Sequence, residues 1–208
     1  MRQVSSYPAR VLATQPDNME WIIEGDGRSR YKFCLVPINR IVPNPELATV
    51  KVPDSTPEII ATYALGDEQA LLARVRYNRL IDIFLGVTAY SLQSHMRTAV
   101  AGIGQIEIDE VYVALDRDGV HYIVPVQAKG GKDQLSVVQT KQDLAWCAER
   151  FPTLVCRTVS AQFMGDERIA MFELLIEDGR VRVAAEKHYR LVPGGDIGDE
   201  DLRSYRRG

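Results

Sequence analysis

The sequence predicts an α/β domain with a central mixed β-sheet flanked by helices, preceded by a β-rich N-terminal extension. Three observations carry this. Two β-prone runs, 104–115 and 120–129, meet at Asp116-Arg117-Asp118-Gly119, a turn sequence. A helical pattern over 133–150 follows, and a third β-prone run, 154–159, comes after it. A second helical pattern, 67–85, lies upstream of all of these.

The chain divides into three parts. Residues 1–55 form the β-rich extension, 56–195 the α/β core and 196–208 a polar, flexible tail. In the extension, 19–24 and 30–36 flank Gly25-Asp26-Gly27-Arg28-Ser29, which reads as a hairpin. Arg28, Arg30, Lys32 and Arg40 make it locally basic, either as a solvated face or as a DNA-contacting arm. Pro37, Pro43, Pro45 and Pro53 then break regular structure, and the boundary falls near Pro53. Thr56-Pro57-Glu58 is a helix start, with threonine as cap and proline at the first helical position. The next helix runs from Asp67 to about Leu85, with Leu71, Leu72, Val75, Leu80, Ile83 and Phe84 as its apolar stripe. Arg74, Arg76 and Arg79 lie off that stripe, on a solvated or phosphate-contacting face. The polar segment 91–98 is expected to be a short helix. The helix over 133–150 has Leu135, Val138 and Ala145 on its stripe. A second hairpin pairs 169–176 with 181–185 around Glu177-Asp178-Gly179.

Composition narrows the function. With 208 residues, the chain can bury roughly 70% of its unfolded surface in its own core. A formal net charge of −3 argues against a nucleic-acid coat protein but leaves room for a local basic cleft. Three widely spaced cysteines, with no C-x-x-C pair, indicate neither a zinc ribbon nor a disulfide framework, so reduced thiols and a cytoplasmic location are expected. The first residues lack a signal-peptide core, and no run approaches the ~18 apolar residues of a membrane span. G-x-S-x-G, H-E-x-x-H and Walker A sequences are all missing.

The chemistry concentrates between Gly104 and Asp143. On the first strand, the two-residue period puts Glu107, Asp109, Val111, Val113 and Leu115 on one face. On the second it puts Gln127 beside Lys129, while Pro125 calls for a bulge or one-sided pairing because it cannot donate to a ladder. Phosphodiester hydrolysis needs an activated water and stabilisation of phosphoryl charge. A hard cation on carboxylate oxygens, with a lysine beside it, meets both needs. Asp109 and Gln127 can offer oxygens from neighbouring strands, the Ala128 carbonyl a third, and Lys129 sits one pleat beyond. The plainer reading is a hairpin on which Glu107 and Lys129 make a cross-strand ion pair worth about 0–1 kcal/mol.

Asp109 and Val126-Gln127-Ala128-Lys129, on a strand pair followed by a helix, resemble the PD-(D/E)xK nuclease superfamily. Gln127 in the carboxylate position is similar to the Q-x-K variant of Mrr-type restriction nucleases. The resemblance covers roughly residues 67–160 and implies a restriction-endonuclease-like core of order α–β–β–β–α–β. It implies Asp109 as the metal-binding aspartate, Gln127 in place of the second carboxylate and Lys129 as the catalytic lysine. The metal would be Mg²⁺, with Mn²⁺ as the alternative, ligated by Asp109, Gln127, the Ala128 carbonyl and Glu107. Ile108 stands where the family has proline, and Glu68 or Asp82 would have to serve as the upstream helical glutamate. Gln93, His95, Arg97, Gln139 and Gln142 are candidates for DNA contact, each with a bland alternative as a solvated or structural residue.

The expected activity is therefore Mg²⁺-dependent DNA endonuclease action of the restriction or defence type, by a cytoplasmic protein with no membrane partner. A two-fold homodimer and a cognate methyltransferase would accompany such an activity. The alternatives are a non-catalytic DNA-binding module on a decayed nuclease fold, a structure-specific nuclease, or an enzyme acting on RNA.

Overall fold

The computed structural model describes residues 16–25, 31–37, 41–63, 68–130 and 135–206. Two β-sheets form among them. Strands β1 (Met19–Gly25) and β2 (Tyr31–Pro37) pair antiparallel as a hairpin, as the sequence predicts. Its turn lies outside the described residues, as do Arg28, Arg30 and Arg40.

The main sheet has eight strands. In chain order they are β3 (Thr49–Pro53), β4 (Thr88–Val100), β5 (Gly104–Leu115), β6 (His121–Lys129), β7 (Val155–Cys156), β8 (Thr158–Phe163), β9 (Arg168–Glu177) and β10 (Arg180–Val192). In space the order is β3-β10-β9-β8-β6-β5-β4, with β7 also on β6. The β6–β8 and β3–β10 pairs are parallel and the other pairs along this path antiparallel, so the sheet is mixed. The helices are α1 (Glu58–Tyr63), α2 (Glu68–Tyr77), α3 (Leu80–Leu85), α4 (Val137–Arg150) and α5 (Asp199–Tyr205).

Strand alternation sends the two faces of the sheet to different helices. Val124, Val126 and Ala128 of β6 join Val159 and Ala161 of β8 in a core with Leu71, Leu72 and Val75 of α2 and Leu80 and Ile81 of α3. Ile123 of β6 instead joins Ile106, Ile108 and Val111 of β5 in a core with Trp146 and Cys147 of α4. Helices α2 and α3 thus cover one face and α4 the other.

Several expectations need correction. The helical pattern 67–85 is two helices. Arg79 adopts a left-handed conformation (φ 51°), and the Asn78 side chain bonds back to the Arg74 carbonyl and across to Ser55 and Thr56, ending α2. Segment 91–98 is not a helix but the middle of edge strand β4. Its polarity reflects exposure at the sheet edge, and a bulge near Leu92 with His95 at φ 48° keeps that edge irregular. Strand β3 falls inside the expected N-terminal extension, yet it pairs with β10 and so belongs to the main sheet. The tail carries α5, anchored where Lys51 donates to Asp201 at 3.0 Å and its backbone N–H to the Tyr205 hydroxyl at 2.9 Å. Pro125 pairs only with β5. On its other side the parallel ladder breaks between Ile123↔Cys156 and Val126↔Val159. Arg157 fills that break, gripping Glu173 with two nitrogens at 2.6 and 2.8 Å and donating to the Leu85 carbonyl at the end of α3.

Candidate functional site

The site forms where β5 parts from β6. Pairing between them stops at Glu110↔Val126, and the Asp109 carboxylate accepts the Ala128 backbone N–H at 2.9 Å in place of a strand carbonyl. Side-chain alternation slips at the same point. Ile106, Ile108 and Val111 all join the α4-side core, whereas Tyr112 and Ala114 join the other. The single face expected to run from Glu107 to Leu115 is therefore interrupted at Asp109–Glu110. Asp109 lies in the resulting gap, within electrostatic reach of groups on β6, α2, β4 and α4.

Lys129, the last residue of β6, donates to Glu68 Oε1 at 2.9 Å. Glu68 opens α2, so of the two acidic candidates on the upstream helical pattern it is Glu68 that reaches the site. Asp82 instead pairs with Arg79 and accepts the Ala89 N–H. Burial raises the Asp109 pKa above the ordinary carboxylate value. The Ala128 N–H and the charges of Lys129 and His95 oppose that rise, and the Glu68 charge adds to it.

A fourth member comes from α4. Asp143 is 1% exposed, and its Oδ1 has no hydrogen-bond partner among the described residues. Burial and the nearby Asp109 charge raise its pKa well above the ordinary value, with Lys129 offsetting them in part. The residues that α4 buries are Thr140, Asp143, Trp146 and Cys147; of the predicted stripe, Leu135 is buried just ahead of the helix, and Val138 and Ala145 are half-buried. Asp143 was not among the predicted site residues, although spacings of three and four residues to Trp146 and Cys147 place a charged residue on an inward stripe.

The other predicted residues fall as follows. Gln127 is 1% exposed and tied to the start of α4: its Nε2 donates to Thr140 Oγ1 at 2.7 Å, and its Oε1 accepts the Ser136 N–H at 3.3 Å. Glu107 turns to β4, 3.2 Å from Arg97 and 3.8 Å from His95, so the cross-strand pair with Lys129 does not form. His95 links Glu107 to the field at Asp109. Gln139 donates to the Glu107 carbonyl at 3.5 Å. Gln142 is half-buried, and Gln93 is exposed, lining an open cleft of about 480 Å³ with Arg97, Met96, Trp146 and Phe151. The arginines of the upstream helical pattern are engaged internally: Arg76 with Glu110, Arg79 with Asp82 and Arg74 over the Phe163 ring.

The donor set suits a hard cation. Glu68, Asp109 and Asp143 are all oxygen donors, and Lys129 is the one cation among these four residues. Among the described residues no three carboxylate, imidazole or thiol groups stand close enough to ligate one ion together. Two carboxylates, with water completing the shell, is the arrangement that Mg²⁺ tolerates best. Among the described residues no helix is long and apolar enough to cross a membrane. Comparison with protein-family models, with curated proteins and with solved structures finds no match to this chain.

Proposed function

We propose that this protein is a Mg²⁺-dependent DNA endonuclease of restriction-endonuclease-like fold, with Asp109, Glu68 and Lys129 at its centre. One observation carries the reading. Glu68 of α2, Asp109 of β5 and Lys129 of β6 converge within an element order of helix, strand, strand, strand, helix, strand, the order that the PD-(D/E)xK resemblance implies. The spacing in sequence gave no reason for the start of α2 to meet the end of β6. That they meet beside Asp109 supports the assignment.

Asp109 and Glu68 would hold the cation, which when bound supplies Lewis-acid stabilisation and a more acidic water. The rest follows from the chain's own groups. Asp109 is fixed by the Ala128 N–H through one oxygen, so its carboxylate cannot swing with the solvent. Lys129 Nζ donates to Glu68 Oε1 at 2.9 Å, which fixes its position. From there it is placed to donate to a non-bridging phosphoryl oxygen and offset the charge that builds there. Exposed His95 and Arg97 of β4 lie beside Glu107 at the rim of the site and are placed to meet backbone phosphates.

A second reading has its own support. Gln127 is spent on holding β6 to α4, which is what a non-catalytic DNA-binding module would retain. Incubation with supercoiled plasmid and Mg²⁺ or Mn²⁺ separates the two, with EDTA as control and a structured RNA alongside. Nicking that needs metal and stops in Lys129→Met supports the endonuclease. Metal-independent DNA binding with every substrate intact supports the module. Cleavage of the RNA alone would move the substrate class.

A further inference from the structure

We propose that Asp143 is an outer acidic anchor of the cation site, holding the water shell of a cation bound by Asp109 and Glu68 and supplying the charge that Gln127 withholds. The inference rests on the cation-site reading given above. It starts from a cost that packing does not explain. Asp143 is buried to 1% exposure on α4, and its Oδ1 meets no donor among the described residues. A buried carboxylate oxygen without a partner destabilises a fold, and an apolar or amide side chain at this position would avoid that. Glu110, the other buried acid among the described residues, also leaves one oxygen, Oε2, without a partner, but its Oε1 is held by Arg76 and Ser91.

The surroundings indicate what the missing partner is. The charged groups acting on Asp143 are Asp109 and Lys129, and Lys129 is already bonded to Glu68. A second carboxylate beside Asp143 asks for positive charge or water-borne donors, which a hydrated cation on Asp109 provides. Position 127 explains why the acid sits on the helix. Gln127 turns into α4 and bonds Thr140, three residues before Asp143 on the same buried stripe. The strand residue is thereby used to fix the helix, and the helix returns a carboxylate toward the site. Outer partners of this kind commonly change metal affinity about 10- to 100-fold.

The test combines calorimetric titration with Mn²⁺ and thermal unfolding of the metal-free protein, for wild type, Asp143→Asn, Asp143→Ser and Asp109→Asn. Asp143→Asn is expected to weaken Mn²⁺ binding by about tenfold, with Asp143→Ser doing the same and Asp109→Asn removing binding. Without metal, Asp143→Asn is expected to melt at or above the wild-type temperature, because an unpartnered buried acid is gone. Unchanged Mn²⁺ affinity in both Asp143 variants would overturn the inference, as would a large fall in melting temperature of metal-free Asp143→Asn, which would make Asp143 a structural residue. Wild-type protein that binds no Mn²⁺ would overturn the cation-site reading itself and this inference with it. Intact wild-type binding that is insensitive to Asp143 would overturn the inference alone.

Discussion

Asp109 and Glu110 are neighbours on one strand, both acidic and both drawn out of solvent, and they are treated in opposite ways. Glu110 is 0% exposed, and its Oε1 takes hydrogen bonds from Arg76 Nε at 2.8 Å and Ser91 Oγ at 2.6 Å. Burial and the Glu110 charge together push the adjacent Tyr112 hydroxyl well up. Asp109 has one backbone N–H, a lysine shared with Glu68, and two further acids in its field. Glu110 is in charge balance and Asp109 is not. A fold can carry such an imbalance only at some cost in stability, and the places where it does so are candidates for function.

If that contrast is right, substitution at the two centres should separate activity from stability. The largest effect is expected on cleavage. Asp109→Asn and Lys129→Met should each lower the plasmid-nicking rate about a thousandfold or more, the scale of losing a principal transition-state charge contact. Both variants should stay folded, with urea midpoints close to wild type. Next comes the structural centre. Arg76→Met leaves Glu110 buried without its guanidinium and should cost about 3–5 kcal/mol in urea unfolding, the range for breaking a buried pair from one side. If Arg76→Met is mild and Asp109→Asn unfolds the protein, the two residues have been assigned the wrong way round.

Gln127 provides a sharper intermediate case, because the resemblance and the packing assign it different jobs. As a tie between β6 and the first turn of α4, Gln127→Leu should cost about 1–3 kcal/mol by stranding the Ser136 N–H and the Thr140 hydroxyl. Its Mn²⁺ affinity should change far less than that of Asp109→Asn. A folded Gln127→Leu that cannot bind Mn²⁺ would return Gln127 to the ligand set.

The smallest effect is a dependence on pH. Asp109 and Asp143 both have folded-state pKa values above their ordinary 3.8. Between that value and the raised one, the folded protein binds more protons than the unfolded chain, so the stability this protonation contributes is lost as pH rises. Metal-free protein should thus lose stability from these two groups as pH rises above the ordinary carboxylate value, and Asp143→Asn should flatten that slope. Protons and Mn²⁺ compete for the same carboxylates, so Mn²⁺ affinity should rise over the same range.

The parts that could be read in the sequence were those governed by short-range periodicity. The pairing of 104–115 with 120–129, the helix ending at Arg150, the C-terminal hairpin and the break at Pro125 follow from alternation, turn residues and the missing proline N–H. Asp109 and Lys129 stood out because polar residues ended apolar strands. What could not be read depended on a single residue breaking a period. Arg79 in a left-handed conformation divides one helical pattern into two, and the slip at Asp109–Glu110 moves Ile108 inward and Glu107 toward Arg97. Segment 91–98 misled because an exposed edge strand has no apolar alternation to show. Asp143 was missed for a related reason. The stripe of α4 was assigned from its aliphatic residues, whereas the buried face is Thr140, Asp143, Trp146 and Cys147.

The most direct measurement is the Mn²⁺- and Mg²⁺-dependent nicking rate of supercoiled plasmid by wild type and Lys129→Met, compared at equal thermal stability. Metal-dependent nicking by wild type, abolished by EDTA and reduced about a thousandfold in folded Lys129→Met, is the predicted result. Nicking that survives in Lys129→Met, or a wild-type protein that binds Mn²⁺ and cuts no nucleic acid, would contradict it.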